Sequence, residues 1–163
     1  MLKKAGILLP VFSLPNKYGI GSLGKSAYKF VDFLKGCGQS YWQVLPLNPT
    51  IYGDSPYQSP SAFAGNPYFV DVDMLIEEGL LTQEFADGFL RNDEKIDYGY
   101  LFESRHFLLR KAFERFNINS EDYRLFKENN AFWLDDYSLF MSIKEYRSNV
   151  QWSEWPDEEK YRR

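Results

Sequence analysis

The 163-residue sequence has only one cysteine, Cys37, and only one histidine, His106. A single cysteine excludes a disulfide within the chain and a zinc site built from several cysteines, and a single histidine excludes the HExxH zinc signature. No stretch approaches the roughly 18 apolar residues of a membrane span. The net charge of −4 and the pI near 5.1 lack the basic excess of a nucleic-acid binder. We therefore expect no metal site, no membrane and no nucleic-acid partner.

No secretion signal is recognisable near the N-terminus. The apolar stretch from Ala5 to Val11 is short, contains Pro10 and is followed by no small-residue cleavage site, unlike a signal peptide. A free thiol is typical of a reducing compartment. We expect a cytoplasmic protein.

Composition divides the chain into two parts near Asn66. Residues 1–67 contain seven of the eight prolines and eight of the eleven glycines, whereas residues 68–163 contain 21 of the 23 acidic side chains. The first part is typical of strands and loops, and the second of helices. With 44% apolar residues, the chain can bury a core.

The first part predicts a strand, a helix and a second strand. Ala5 to Leu9 is a short apolar run typical of a strand buried on both faces, and Trp42 to Leu47 is the second such run. Between them an apolar stripe at helical spacing is followed by Gly36 and Gly38, which end helices. The stripe consists of Leu23, Ala27, Phe30, Val31 and Leu34. This order predicts a βαβ unit with parallel strands.

The second part predicts five helices, several with a capping residue before the first turn. They cover Asp73 to Glu78, Phe85 to Leu90 after Thr82, Asp97 to Phe116, Ser120 to about Glu128, and a last helix around Trp133, Tyr137, Phe140 and Met141 that ends near Arg147. Aromatic residues at helical spacing indicate packing more often than ligand contact.

Residues 19–26, GIGSLGKS, match two phosphate-binding patterns. Gly19, Gly24, Lys25 and Ser26 satisfy G-x-x-x-x-G-K-[ST], and the glycines also satisfy G-x-G-x-x-G. Both chemistries require the glycines directly after a buried strand. Here Pro10 and Pro15 intervene, and the second predicted strand ends without the acid that dinucleotide sites need. A glycine turn entering a helix is the favoured interpretation, with a nucleotide loop as the alternative.

The loop from Asn48 to Pro67 is the richest in candidate binding groups. It is long, follows a strand end and contains Tyr52, Asp54 and Tyr57 together with several serines. Tyrosine rings stack on sugar faces, and hydroxyls bond to sugar hydroxyls. A sugar-binding loop and a proline-stiffened surface loop are both consistent with these residues.

Several long motifs in this order resemble the amylomaltases, the 4-α-glucanotransferases of glycoside hydrolase family 77. They are A-G-I-L-L-P, G-I-G-S-L-G, A-Y-K-F-V-D-F-L, W-Q-V-L-P-L-N-P-T, Y-G-D-S-P-Y-Q-S and S-A-F-A-G-N-P-Y. The resemblance is dense from Ala5 to about Leu81 and resumes at Trp133 to Tyr137 and at Trp152 to Pro156. The first loop reads P-V-F-S-L-P-N where many relatives have H-P-T-S-L-P-G, so a contact from that His or Thr is not carried over.

The resemblance implies an α/β fold, with the first two strands of a (β/α)8 TIM barrel. Residues 1–66 would form its N-terminal βαβ part with the substrate loop 48–66, and residues 67–163 a mostly helical inserted subdomain that leads back to the barrel. It also implies transfer of α-1,4-glucan segments between maltooligosaccharides without a cofactor. The mechanism is retaining, with a carboxylate nucleophile that forms a covalent glycosyl-enzyme and a second carboxyl as acid and base.

Four site residues follow from the resemblance. Tyr57 matches a tyrosine that lines the sugar site, Ser55 a serine that contacts substrate, and Tyr52 a tyrosine of a secondary glucan-binding surface. Asp54 is expected to organise the loop, its carboxylate accepting backbone N–H groups. Trp42 and Gln43 are expected to be structural, and Asn66 to hold the turn into Pro67.

No catalytic residue is assigned, because the family's catalytic carboxylates lie on later barrel strands. We expect an N-terminal part of a glucanotransferase that is inactive alone and whose partners are an α-1,4-glucan and the remainder of the catalytic chain. Two alternatives remain, a P-loop-like nucleotide-binding protein and a non-catalytic glucan-binding module.

Overall fold

The structure is a computed structural model that describes residues 3–51, 53–91 and 94–161. Its helices and strands follow in the order β1 (Gly6–Leu8), α1 (Lys25–Gly36), β2 (Tyr41–Gln43), α2 (Val72–Glu77), α3 (Gln83–Asp87), α4 (Tyr98–Phe113), α5 (Glu121–Tyr146) and α6 (Asp157–Lys160). Three short 3-10 helices cover Val11–Ser13, Pro67–Phe69 and Trp152–Glu154.

The predicted βαβ unit is confirmed. Strands β1 and β2 are parallel, with Ile7 opposite Trp42, and α1 connects them. The second strand ends at Gln43, earlier than the predicted Leu47. Its last ladder bond runs from the Leu9 N–H to the Gln43 carbonyl. The Leu9 carbonyl, which would accept the next ladder bond, accepts the Trp42 indole N–H instead.

The prediction that β1 is buried on both faces is wrong for the described residues. Ile7 and Leu8 are 43% and 55% exposed. The sheet formed by the described residues has two strands. Because successive side chains of a strand point to opposite faces, the exposure of Ile7 and Leu8 means that the described residues leave part of each face uncovered.

The chain forms two compact units, residues 1–116 and 117–163. The boundary at Asn66 predicted from composition stays a prediction. In the first unit, one face of α4 contributes to two apolar clusters. Leu101 packs with Val11, Leu14 and Ile20, whereas Leu108 and Ala112 pack with a second group around Val72 and Leu81.

Arg105 lies between these apolar positions of α4 and is only 3% exposed. Its guanidinium donates to the carbonyls of Val70, at 3.3 Å, and Tyr18, at 3.4 Å. Burial lowers the pKa of Arg105, opposed by the charge of Asp71. A buried cation of this kind needs such acceptors, because burial removes its hydration.

Two predicted helix caps are confirmed. The Thr82 hydroxyl accepts the N–H of Phe85 at 3.3 Å, and the Asp97 carboxylate accepts the N–H of Tyr100 at 3.0 Å. Asp71 caps α2 through the N–H of Met74, so that helix begins at Val72 and not at Asp73. Each cap satisfies an N–H group that the first helical turn leaves unpaired.

The prediction of separate helices on either side of residues 129–132 is wrong, because α5 runs unbroken from Glu121 to Tyr146. Asparagine often ends a helix by bonding its own backbone, but Asn130 bonds along the helix. Its amide donates to the Phe126 carbonyl at 2.8 Å and accepts the Trp133 indole N–H at 2.9 Å. Ser120 precedes α5 but makes no capping bond.

Candidate functional site

Two asparagines hold the ends of the 48–66 loop together. The Asn66 N–H donates to the Leu47 carbonyl at 2.8 Å, and the Asn48 amide donates to the Ala64 carbonyl at 3.2 Å. Asn66 also caps the 3-10 helix that follows, since its side-chain oxygen accepts the Tyr68 N–H at 2.9 Å. The predicted role of Asn66 at this turn is confirmed. The loop therefore begins and ends at neighbouring points of the fold.

Ser55 organises the turn that carries Tyr57. Its hydroxyl accepts the Tyr57 N–H at 3.3 Å, and its carbonyl accepts the Gln58 N–H at 3.1 Å. Pro56 between them fixes one backbone angle. The Tyr57 side chain is 74% exposed, and this turn directs it away from the core. An exposed ring on a constrained backbone can stack on a flat apolar face with little loss of conformational entropy.

The other two serines of the loop, Ser59 and Ser61, bond the loop's own backbone. The Ser61 hydroxyl accepts the N–H groups of Phe63 and Ala64, both at 3.1 Å, and the Ser59 hydroxyl donates to the Ser61 carbonyl at 2.8 Å. These two hydroxyls stabilise the loop. They are therefore weaker candidates for binding a sugar than the sequence alone indicated.

Asp54 adopts a left-handed backbone conformation with a φ of +54°, directly after Gly53 at +89°. A backbone bond from the Asp54 N–H to the Ile51 carbonyl, at 3.0 Å, closes the turn. The expected carboxylate bonds to backbone N–H groups are not found among the described residues. For the described residues, the expectation that the Asp54 carboxylate organises the loop through backbone N–H groups is wrong. The turn is instead formed by positive φ angles and a backbone hydrogen bond.

The half-buried Asp54 carboxyl lines a small cavity of about 10 Å³ with Phe12, Ile20 and Tyr98, which is room for about one water molecule. Burial raises the pKa of Asp54. Burial and then the charge of Asp54 raise the pKa of Tyr68 to about 12, and the same two causes raise that of Tyr98. The cavity thus places an acid and a phenol from distant parts of the sequence beside each other.

Tyr98 is a residue of this region that the sequence did not indicate. It is the first residue of α4 and follows the capping Asp97, and its 44-residue separation from Asp54 leaves no local signal. Tyr52, the fourth predicted site residue, lies outside the described residues. The structure brings Ser55 and Tyr57 into one turn, with Asp54 next to it at the cavity.

The GIGSLGKS segment forms a turn into α1, and its helix N-terminus is occupied by the chain itself. The Ser22 hydroxyl donates to the Asp71 carboxylate at 2.5 Å, and a methyl group on Gly24 would lie 2.0 Å from the same oxygen. Lys25 forms an ion pair with Glu77. A carboxylate therefore stands beside the turn where a nucleotide phosphate would have to bind.

Trp42 has the structural role expected of it. Its indole N–H donates to the Leu9 carbonyl at 2.8 Å, and its ring packs edge-on against Phe30 with centroids 5.1 Å apart. Gln43 accepts the last ladder bond through its carbonyl.

Neither a metal cluster nor a membrane span is found in the described part of the chain. No three His, Cys, Asp or Glu side chains converge there as metal ligands would. None of its helices combines the length and apolar character needed to cross a bilayer.

Fold and site together define an α/β protein with a βαβ unit and a structured, tyrosine-bearing loop after the second strand. Comparison with known proteins gives its family. The model of the 4-alpha-glucanotransferase family matches residues 9–163, and the chain belongs to this family. The resemblance read from the motifs is confirmed.

Similar proteins from several bacteria support this family assignment. The 4-alpha-glucanotransferase of Streptococcus pneumoniae is 48% identical over 159 residues, which are 95% of this chain and 32% of that protein. The enzyme of Clostridium butyricum is 50% identical over 94% of this chain and 32% of its own length. The solved amylomaltase from Streptococcus agalactiae, in complex with acarbose, superposes with a TM-score of 0.86 at 39% identity, over 96% of this chain and 32% of that one. The chain spans about a third of the length of the relatives it matches.

Proposed function

We propose that this chain is the N-terminal part of a cytoplasmic 4-α-glucanotransferase and supplies part of its glucan-binding surface. The observation that carries the proposal is Tyr57, whose 74% exposed ring stands on a turn fixed by Ser55 and Pro56. Such a ring offers a stacking face for a pyranose. Family membership supports the glucan as ligand, and the similar amylomaltase from Streptococcus agalactiae was solved with acarbose bound.

We infer that β1 and β2 are the first two strands of a (β/α)8 barrel. Parallel pairing through a crossover helix supports this, as do the exposed Ile7 and Leu8, since strands of parallel sheets are normally covered on both faces. In a barrel, the loop after β2 lies at the carboxyl end of the strands, where active sites are built. The remainder of the catalytic chain would supply the other strands.

The reaction proposed for the whole enzyme is transfer of an α-1,4-glucan segment with retention, without a cofactor. It requires two carboxyls ~5 Å apart, one as nucleophile and one as acid and then base. The 48–66 loop contains a single acid, Asp54. The loop therefore cannot supply the pair, and the family resemblance implies that both catalytic carboxyls lie on later barrel strands, in the remainder of the enzyme. Tyr57 and Ser55 would bind the sugar beside the reacting bond.

Kinetics of Tyr57→Ala in a full-length protein that carries this chain test the proposal. Loss of one stacking contact should reduce transition-state stabilisation by ~1–3 kcal/mol and lower kcat/KM for maltotriose accordingly. Tyr28→Ala is the matched control, because Tyr28 is a similarly exposed tyrosine, at 64%, that belongs to α1 and not to the loop. An unchanged kcat/KM for Tyr57→Ala, or an equal loss in both variants, contradicts the proposal.

We propose that Tyr52 acts at a secondary glucan surface, as the family resemblance implies. Tyr52→Ala should leave maltotriose disproportionation nearly unchanged and alter the handling of long amylose, including ring formation. If Tyr52→Ala and Tyr57→Ala lose melting temperature and maltotriose activity equally, both tyrosines only pack the loop, and the separate roles are refuted.

A further inference from the structure

The second compact unit, residues 117–163, contains a cavity that the proposed function does not use. It has a volume of about 330 Å³, at the lower end of the range typical of small-molecule sites. One wall comes from the C-terminal half of α5, including Phe140, and the other from Trp152, Trp155, Glu159 and Tyr161. The whole cavity is thus built from residues 139–161.

Four of the eight described residues that line the cavity are aromatic. Phe140 and Trp155 pack with centroids 5.3 Å apart and an angle of 37°, and Trp155 is only 5% exposed. Trp152 and Tyr161 are 54% and 56% exposed. The buried pair forms a rigid base, and the half-exposed rings leave surface on which a ligand can stack.

The polar groups at the cavity are held in place. The Arg147 guanidinium donates to Glu159 through two of its three nitrogens, Nε and Nη2, with Nε 2.9 Å from Oε2. Hydrogen bonding from Arg147 lowers the pKa of Glu159, so this carboxylate stays an acceptor at neutral pH. The Trp155 indole N–H is buried and has no hydrogen-bond partner among the described residues.

We propose that this cavity is a second carbohydrate site that binds a short α-1,4-glucan, in addition to the 48–66 loop. Pyranose rings have apolar faces that stack on Trp152 and Tyr161, and hydroxyls that donate to Glu159. Arg147 balances the charge of Glu159, and Lys160, which also lines the cavity, forms an ion pair with Asp157 at 3.8 Å. The site therefore favours a neutral polyhydroxyl ligand over an ion. Small adjustment of the wall on binding would let a sugar hydroxyl accept the Trp155 N–H, which is costly to leave unpaired.

The choice of a glucan rests on the proposed function, whereas the location rests on the cavity itself. The two sites share no residue. Their tests can therefore fail independently.

The test is a titration of the 163-residue chain with maltotriose, followed by the NMR signals of the four indole N–H groups. Variants with single Trp→Phe replacements assign the signals. We expect saturable shifts of the Trp152 and Trp155 signals and none for Trp42. Trp152→Ala should weaken the maltotriose binding that is followed through the Trp155 signal about tenfold, and Trp152→Phe should restore most of it. Tyr57→Ala, which affects the separate loop site, should leave the Trp152 and Trp155 shifts unchanged.

Phe132→Ala is the control, because Phe132 is 71% exposed on α5 outside the cavity wall. Thermal melts of each variant verify that it is folded. Absence of saturable Trp152 and Trp155 shifts up to about 50 mM maltotriose, where a millimolar site is nearly filled, overturns the proposal. The proposal is also overturned if the chain dimerises and Trp152→Ala abolishes the dimer, because a second copy of the protein would then cover the cavity. Normal shifts with unaltered Tyr57→Ala kinetics would refute the proposed loop function alone.

Discussion

The Asp71 side chain connects the turn before α1 with the start of α2. One carboxylate oxygen accepts the Ser22 hydroxyl at 2.5 Å, and the other accepts the Met74 N–H at 3.0 Å. The Asn16 amide donates in turn to the Ser22 oxygen at 2.8 Å. Asp71 and Ser22 are 8% and 1% exposed, so water cannot easily replace a lost partner.

Ser22→Ala should therefore destabilise the chain by about 1–3 kcal/mol, the cost of leaving a buried acceptor without its donor. Urea unfolding measures the change. Ser26→Ala is the matched control, since Ser26 lies in the same segment and no hydrogen bond to its side chain is found within the described residues. Equal midpoints for Ser22→Ala and the parent would show that the Ser22–Asp71 bond contributes nothing net.

Asp54 predicts a pH-dependent effect. Burial raises its pKa above the ordinary value of 3.8, so the carboxyl favours folding when protonated. That contribution is complete below the ordinary pKa and is lost as the pH rises through the folded-state value. Asp54→Asn should thus raise the melting temperature at pH 7 and change it little at pH 3, because asparagine is neutral and tolerates a positive φ.

Melting curves at both pH values check this, with the exposed Asp32→Asn on α1 as a control for loss of one negative charge. A lower melting temperature for Asp54→Asn at pH 7 would reveal a stabilising contact of the carboxylate and refute the prediction.

At the scale of elements, the N-terminus of α1 explains why a sequence that matches phosphate-binding patterns forms a turn. A P-loop needs free N–H groups and glycines directly after a strand. Here Gly19 follows the end of β1 at Leu8 only after the 3-10 helix Val11–Ser13. Gly24 has no side chain, which lets the Asp71 carboxylate approach it closely.

We expect no heat when Mg-ATP is titrated into the chain by calorimetry. Lys25, the residue that would contact phosphate, is paired with Glu77, and Asp71 repels an anion at the same turn. Micromolar binding that disappears in Lys25→Ala would restore the nucleotide interpretation.

The two ends of α1 predict opposite effects of the same substitution. A methyl group on Gly24 would lie 2.0 Å from Asp71, whereas nothing lies within 4 Å of one on Gly36. Gly24→Ala should destabilise the chain by at least about 1–3 kcal/mol through overpacking, and Gly36→Ala should stabilise it by up to about 1 kcal/mol. Similar unfolding midpoints for both variants would contradict the close packing of Gly24 on Asp71.

At the scale of the whole molecule, the main feature is the two-stranded sheet that the described residues form. Its strands carry exposed Ile7, Leu8 and Tyr41, as expected of part of a larger sheet. The relatives of which this chain covers about 32% are three times longer. We therefore propose that this chain contributes to substrate binding, whereas the remainder of the enzyme supplies the catalytic carboxyls.

The 163-residue chain alone should show no transferase activity, because the proposed nucleophile and acid lie outside it. Incubation with maltotriose followed by chromatography of the products checks this, with a full-length relative as positive control. Formation of maltotetraose above the blank would refute the assignment of both carboxyls to the remainder of the enzyme.

The sequence by itself determined the local structure and the family. The βαβ unit followed from apolar runs and a helical stripe, and the caps at Thr82 and Asp97 from short-range bonds between a side chain and a nearby N–H. The motifs between Ala5 and Tyr68 identified the glucanotransferase resemblance, because each is a contiguous string. The sequence did not predict that α5 is continuous. An asparagine such as Asn130 can bond its own backbone and end a helix, or bond groups one turn away within it, and the sequence does not show which.

Only the tertiary structure decided the contacts between distant residues. Ser22 and Asp71 are 49 positions apart, and Arg105 bonds carbonyls 35 and 87 positions away. Tyr98 joins the cavity at Asp54 in the same way, and Phe140 meets Trp155. Periodicity and capping describe interactions within a few residues, whereas burial of a charge or the walls of a cavity depend on which segments pack together. That packing is set by the summed apolar contacts of the whole unit, which no short stretch of sequence contains.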